Sequence, residues 1–306
     1  MNCQKKNNDP YKKKVIMDKI TDALIYNFIL SFTLFCLIPF LLVISGSLTN
    51  DTVIIREGYS LIPKQLDVTA YKLLLMDINK ILRGYAISIF VTVTGTLASL
   101  LINAMVAYPI SLSFIKYRKV VSVYALITIL FNSGMVTWYI VCVRYLHLKD
   151  SLMALILPYL ANAWYIFLLR NYFQTIPGEM HESALIDGAG EFRIFFKIII
   201  PLSKPVLATV ALFVALMYWN DWWLGIMLID NEKLKPLQLL LRTIVSNVQY
   251  LQSSPNAAQM RQLIKSLPTE SVKMAVCVIT IGPILFLYPF IQRYFVKGIM
   301  MGAVKG

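Results

Sequence analysis

Apolar residues in this chain fall into runs long enough to cross the hydrocarbon core of a bilayer, roughly 20 residues or more each. Six stand out: Leu24–Leu48, Tyr85–Phe114, Val120–Val143, Ser151–Leu169, Val206–Ile229 and Val272–Ile291. A spanning segment must satisfy its backbone polar groups internally, and runs of this length do so as α-helices; barrel strands would be shorter and would alternate. The pattern predicts an all-α polytopic membrane protein. A six-helix transmembrane domain covers 24–292, flanked by tails over 1–23 and 293–306. Two connections, about 49–84 and 230–271, are longer than connection alone requires. Within the first, Val68–Leu75 reads as a short amphipathic helix. Within the second, the apolar-basic run Leu234–Val245 precedes a polar stretch, Gln249–Gln262.

Composition agrees. At 58% hydrophobic and 15% charged residues, with a mean hydropathy of +0.66, the chain is too apolar for an ordinary soluble domain. Its net charge of +13 does not point to nucleic acid, because the basic residues flank apolar runs instead of gathering on a soluble face. Anionic lipid headgroups are the expected counterpart. Lys5, Lys6, Lys12, Lys13, Lys14 and Lys19 precede the first run; Lys116, Arg118, Lys119, Arg193 and Lys197 fall in short loops on the same predicted side. The positive-inside rule then puts both termini and the 175–201 loop in the cytoplasm. The first run is too long for the apolar core of a cleavable signal peptide.

No chemistry for catalysis stands out. The cysteines show no metal spacing, His147 and His181 are isolated, and no GxxxxGK[ST] phosphate loop is present. Neither a Ser/His/Asp set nor a carboxylate pair is apparent. The chain is expected to be non-catalytic, with no metal or cofactor of its own.

The informative polar island is Glu182-Ser183-Ala184-Leu185-Ile186-Asp187-Gly188-Ala189-Gly190, running on to Pro201. Pro177 is tolerated in a first helical turn, and Glu179 and Glu182 suit a helix start. Gly188 and Gly190 are natural breaks. A second helix is expected from Glu191 through Phe192, Phe195, Phe196 and Ile199 until Pro201. The product is a compact knob, with Glu182 and Asp187 as charged handles and Ala184, Ala189 and Phe192 as its packing surface. An amphipathic connector lying on headgroups would favour Lys and Arg; Glu179, Glu182, Asp187 and Glu191 favour docking to a soluble partner instead.

This spacing resembles the EAA loop of bacterial ABC importer permeases. Glu182, Ala184, Gly188, Ile198 and Pro201 match it, while Ser183 replaces an Ala and Ile200 a Leu. The wider chain is similar to permease subunits of maltose-type carbohydrate importers, and among them to the subgroup for complex oligosaccharides in Gram-positive bacteria. Gly58–Lys64, Ala107-Tyr108-Pro109, Ile176–Glu179, Trp219-Asn220-Asp221, Lys235–Gln238 and Tyr294–Gly298 carry that resemblance. It implies a type I ABC importer permease fold in the bacterial cell membrane, moving an oligosaccharide inward. The implied partners are a second permease subunit, two cytoplasmic ATPase subunits that hold ATP and Mg, and an extracellular lipid-anchored binding protein. Glu182, Ser183, Ala184, Asp187, Gly188, Ala189, Phe192 and Pro201 are the implied ATPase-coupling residues. A permease for a non-sugar solute, or a membrane scaffold or receptor, remains the alternative reading.

Substrate-pathway candidates are fewer. Trp219-Asn220-Asp221-Trp222-Trp223 sits about 22 Å along its predicted helix from Val206. Rings suit sugar C–H faces, and Asn and Asp suit hydroxyls, but an interfacial aromatic belt also accounts for the tryptophans. On a continuous helix the three tryptophans share a face that Asn220 and Asp221 leave. Asn132-Ser133-Gly134 interrupts the third run as a small-residue packing site or a pathway kink, with packing the expectation.

Overall fold

The computed structural model describes residues 10–131, 133–253 and 268–282. All of its regular elements are helical, apart from one antiparallel bridge between Thr49 and Leu66. Asn132, Lys5, Lys6, the end of the sixth predicted span and the 293–306 tail lie outside the described residues. Contacts divide the chain into two units, 1–74 with 255–279, and 75–254 with 280–306.

In the first unit, α1 (Pro10–Ser47) carries the first predicted span. Its apolar side chains are exposed all round, Phe28, Phe32 and Phe35 among them. A helix of that kind requires lipid or another chain about it. After it, α2 (Asp51–Glu57) is capped by Asn50, whose side chain accepts from Thr52 N at 3.0 Å. Asp67 caps α3 (Thr69–Leu75), the expected short helix, by accepting from Thr69 N at 2.8 Å. Asp51 Oδ1 accepts from the backbone N–H groups of Glu270 and Ser271 at 2.7 and 2.9 Å, which caps the helix over 270–282. Burial, together with a hydrogen bond donated to Glu270, pushes the Tyr59 hydroxyl up to about 12.

The second unit is organised by α4 (Ile78–Ser111), 34 residues long. Its buried positions Ser88, Gly95, Ser99, Asn103, Ala104 and Ala107 recur at helical spacing and are small. Such a stripe lets neighbouring backbones approach closely. A Cβ at Gly95 would come within 2.7 Å of the Tyr218 ring. Against α4 pack α8, α12 and α14, whose ranges follow.

The later predicted spans are bent. The third is α5 (Arg118–Leu130) and α6 (Met135–Ile140), the latter continuing into a π-turn over Val141–Tyr145; the second arm is bent by 115° from the first. Ser133 and Gly134 are exposed at that break, and Gly134 has φ +78°. Gly134 thus has the left-handed backbone that glycine tolerates, while Asn132, the first residue of the expected packing site, lies outside the described residues. The fourth is α7 (Leu152–Ile156), a 3₁₀ turn (Leu157–Tyr159) and α8 (Ala163–Phe173), bent by 50°. Buried Asn103 closes this break: its amide donates to Leu160 O at 3.0 Å and its carbonyl accepts from Asn162 N at 2.9 Å. Backbone groups freed by a bend at membrane depth need such partners.

Beyond α8 lie α9 (Gly178–Ile186), α10 (Glu191–Ile194), a π-turn (Phe195–Ile199) and α11 (Ile200–Leu202). An 83° bend at Ser203 leads into α12 (Lys204–Asn220). The fifth predicted span, Val206–Ile229, is not one helix, since the chain turns at Asp221 before α13 (Trp223–Leu228). A 3₁₀ turn (Glu232–Leu234) precedes α14 (Leu237–Ser253), so the apolar-basic run is a helix with Leu237, Leu240 and Leu241 buried. Among the described residues, two helices are long and apolar enough to cross a membrane, or up to five if each bent pair is one span.

Candidate functional site

The island folds as the predicted helix, turn and helix. Phe173 is buried at the end of α8, and Thr175 Oγ1 donates to Tyr172 O at 2.7 Å as the chain turns away. Pro177 stands at the cap of α9, one residue ahead of its first turn. At the other end, Gly188 N donates to Leu185 O at 3.0 Å and Ala189 N to Ala184 O at 2.9 Å. This pair of bonds, with Gly188 at φ +78°, forms a Schellman cap. Glycine is needed there for its backbone alone, because a Cβ would meet nothing within 4 Å.

One face of α9 roots the knob. His181 and Ala184, three residues apart, are buried, and Ala189 is half-buried against the same core. Glu182, Ser183, Leu185, Ile186 and Asp187 are exposed, Ile186 to 87%. Acidic and apolar side chains thus share the outward surface.

Two expectations for the second helix fail. Phe192, assigned to the packing surface, is 72% exposed, while Ile194 and Phe195 hold the buried positions. The helix also does not stop at Pro201. It widens through the π-turn, in which Ile200 N donates to Phe195 O, and ends one residue beyond Pro201, at Leu202, with Ser203 as its cap. A widened turn is one way to accommodate a proline that lacks its N–H.

The carboxylate of Glu191 ties these elements together. It accepts from Tyr108 Oη at 2.9 Å, and His181 Nε2 lies 3.2 Å from both of its oxygens. The His181 ring packs on Phe114 with centroids 5.4 Å apart, and the Tyr108 ring on Phe195 at 5.3 Å. A cavity of about 500 Å³ lies beside His181, between Phe114, Arg118, Gln174 and Glu182. A second, of about 250 Å³, lies beside Glu191, between Met105, Pro109, Ile115 and Phe192. Sequence reasoning missed this linkage, because nothing local pairs a tyrosine with a glutamate 83 residues away.

Of the six predicted pathway residues, Asn132 lies outside the described residues, and the five at 219–223 do not form one surface. The helix breaks at Asp221, whose carboxylate accepts from Tyr159 Oη at 3.0 Å and from Leu224 N at 3.2 Å, starting α13. The tryptophans therefore share no helical face. Trp219 is buried against Tyr85, Trp222 lies under the Arg242 guanidinium at 3.5 Å, and Trp223 packs on Trp138 at 4.6 Å. Asn220 is exposed and bonds back to Leu216 O at 2.9 Å.

A family profile described as binding-protein-dependent transport system inner membrane component matches residues 118–301. The polygalacturonan/rhamnogalacturonan transport system permease protein YtcP of Bacillus subtilis is 38% identical, over 94% of this chain and 99% of that protein. Protein LplC of the same organism is also 38% identical, over 88% and 90%. The arabinooligosaccharides transport system permease protein AraQ of Halalkalibacterium halodurans is 27% identical, over 88% and 91%. Among solved structures, a chain of a bacterial ABC transporter involved in the import of the acidic polysaccharide alginate superposes with a TM-score of 0.76. It is 31% identical, with 91% of this chain and 98% of that chain covered.

Proposed function

The chain belongs to the family of binding-protein-dependent transport system inner membrane components, and from that premise we propose that it is an oligosaccharide permease subunit whose α9 knob docks a cytoplasmic ATPase. The observation that carries this reading is the knob's division of faces: His181 and Ala184 anchor it, while Glu182, Leu185, Ile186 and Asp187 project. Apolar tips ringed by carboxylates fit the cleft of a soluble partner better than an anionic headgroup layer.

The carbohydrate class rests on the names of the similar permeases, which transport polygalacturonan or rhamnogalacturonan and arabinooligosaccharides. A second permease subunit completes the pathway, a lipid-anchored binding protein delivers the glycan, and ATP with Mg is bound and hydrolysed on two ATPase subunits. Both termini and the knob face the cytoplasm, in keeping with the basic short loops. Closure of the ATPases pushes on 182–190, and the helices rock between outward- and inward-open states.

The test is co-purification with a partner permease, ATPase and binding protein, followed by ATPase assays over a glycan panel. Stimulation by one glycan, lost with its ATPase in an E182K/D187K variant, is the expected result. A stable complex that answers to no glycan would overturn the substrate class. An unmutated chain that binds no ATPase would overturn the importer reading and favour a scaffold.

A further inference from the structure

We propose that Glu191 is a positioning residue that couples the knob to α4: its carboxylate, shared between Tyr108 and His181, transmits movement of α9 to the last turn of α4. This rests on the ATPase-docking reading above and names the residues through which docking acts.

Three elements meet at one side chain. Tyr108 belongs to α4, His181 to the buried face of α9, and Glu191 opens α10, where a helix start favours negative charge. Hydrogen bonds to a charged acceptor are about twice as strong as neutral ones, so this junction is stiff. Its surroundings are not. Open clefts of about 500 and 250 Å³ border His181 and Glu191 on one side each, although His181 itself is buried against Phe114. A rigid tie with open space on one side has room to move as a unit, whereas an interior close-packed on every side resists displacement.

The tie also leads somewhere. The Tyr108 ring rests on Phe195, in the π-turn that follows α10, so bond and ring contact pull α4 from the same place. On α4 pack α8, α12 and α14, and any shift of its end is felt by all three. Tyr108 thus converts a displacement of a surface helix into one of a buried helix.

Two measurements test this. Hydrogen exchange on the detergent-solubilised chain, with no ATPase present, reads the tie itself. Y108F removes only a hydroxyl and E191Q only a charge; each should speed exchange across 178–194 and leave α8 and α12 unchanged. Unchanged exchange in 178–194 overturns the tie, and faster exchange everywhere reduces it to general stability. The second measurement is glycan uptake per ATP hydrolysed in the reconstituted importer. Y108F and E191Q should each lower that ratio about fivefold or more, the low end of an inter-site coupling, with the ATPase still bound. The double variant should fall no further than E191Q. An unchanged ratio, or effects that multiply, would refute transmission through this carboxylate. Loss of ATPase binding would make Glu191 part of the docking surface instead. If the unmutated chain binds no ATPase, the docking reading fails while the exchange result stands.

Discussion

Asn103 donates its side-chain amide to the carbonyl oxygen of Leu160, 57 residues further along the chain, at 3.0 Å. It also accepts from Asn162 N at 2.9 Å, so a single buried side chain spans the bend before α8. Replacing it strands two backbone groups at once. N103L should cost about 1–3 kcal/mol for the unsatisfied groups. That exceeds the ~0.6 kcal/mol average for a side-chain bond between membrane helices. Thermal unfolding in detergent would check it, and a melting temperature equal to the parent's would mean that water supplies the missing partners.

Gly188 separates backbone strain from crowding, because the space beside it is open. Substitution by Asn should be milder than by Ala, and Val should be worst, since Asn tolerates a left-handed backbone while other side chains lose roughly 1–2 kcal/mol there. Hydrogen exchange over 178–194 should follow that order, with little change elsewhere. An order that follows side-chain volume, with Asn worse than Ala, would contradict the open site.

Asp150 provides a pH-dependent clasp in the turn that precedes α7. Its Oδ1 accepts from Asp230 N and Asn231 N, both at 2.7 Å, while Lys149 pairs with Asp230 at 2.8 Å. The Asn231 amide first, then that of Asp230, holds the Asp150 carboxyl below the ordinary 3.8. A lowered folded-state value stabilises above about pH 3.8 and loses that contribution as pH falls through it. D150N keeps an acceptor oxygen but no charge. Its melting temperature should lie below the parent's at about pH 6, and the gap should close toward about pH 3. A gap constant with pH would show that shape, not charge, makes the clasp.

Much of the architecture could be read from the order of residues. The apolar runs located α1 and α4, and the Pro177, Gly188 and Glu191 punctuation located α9, its turn and α10 almost to the residue. Bends were not legible, because an apolar run looks the same straight or broken. The partners that stabilise a bend are distant, as with Asn103 at Leu160, or self-made, as with Asp221 starting α13. The same limit applied to exposure. Phe192 is apolar in a helical pattern, yet Ile194 and Phe195 turn inward and leave it outside. Whether a helix of mixed character points a given ring at the core is decided by its neighbours.

Among the predicted spans described in full within the second unit, only α4 runs unbroken, and the others carry their joints near the middle or at one end. At 1.5 Å per residue its 34 residues make an arm about 51 Å long. Tilting that arm by about 5° about its middle would move each end by roughly 2 Å, the Tyr108 end and the far end in opposite directions. The leverage lies in the length of one unbroken helix: a push at Tyr108 is delivered at the opposite end of α4 without being absorbed at a joint.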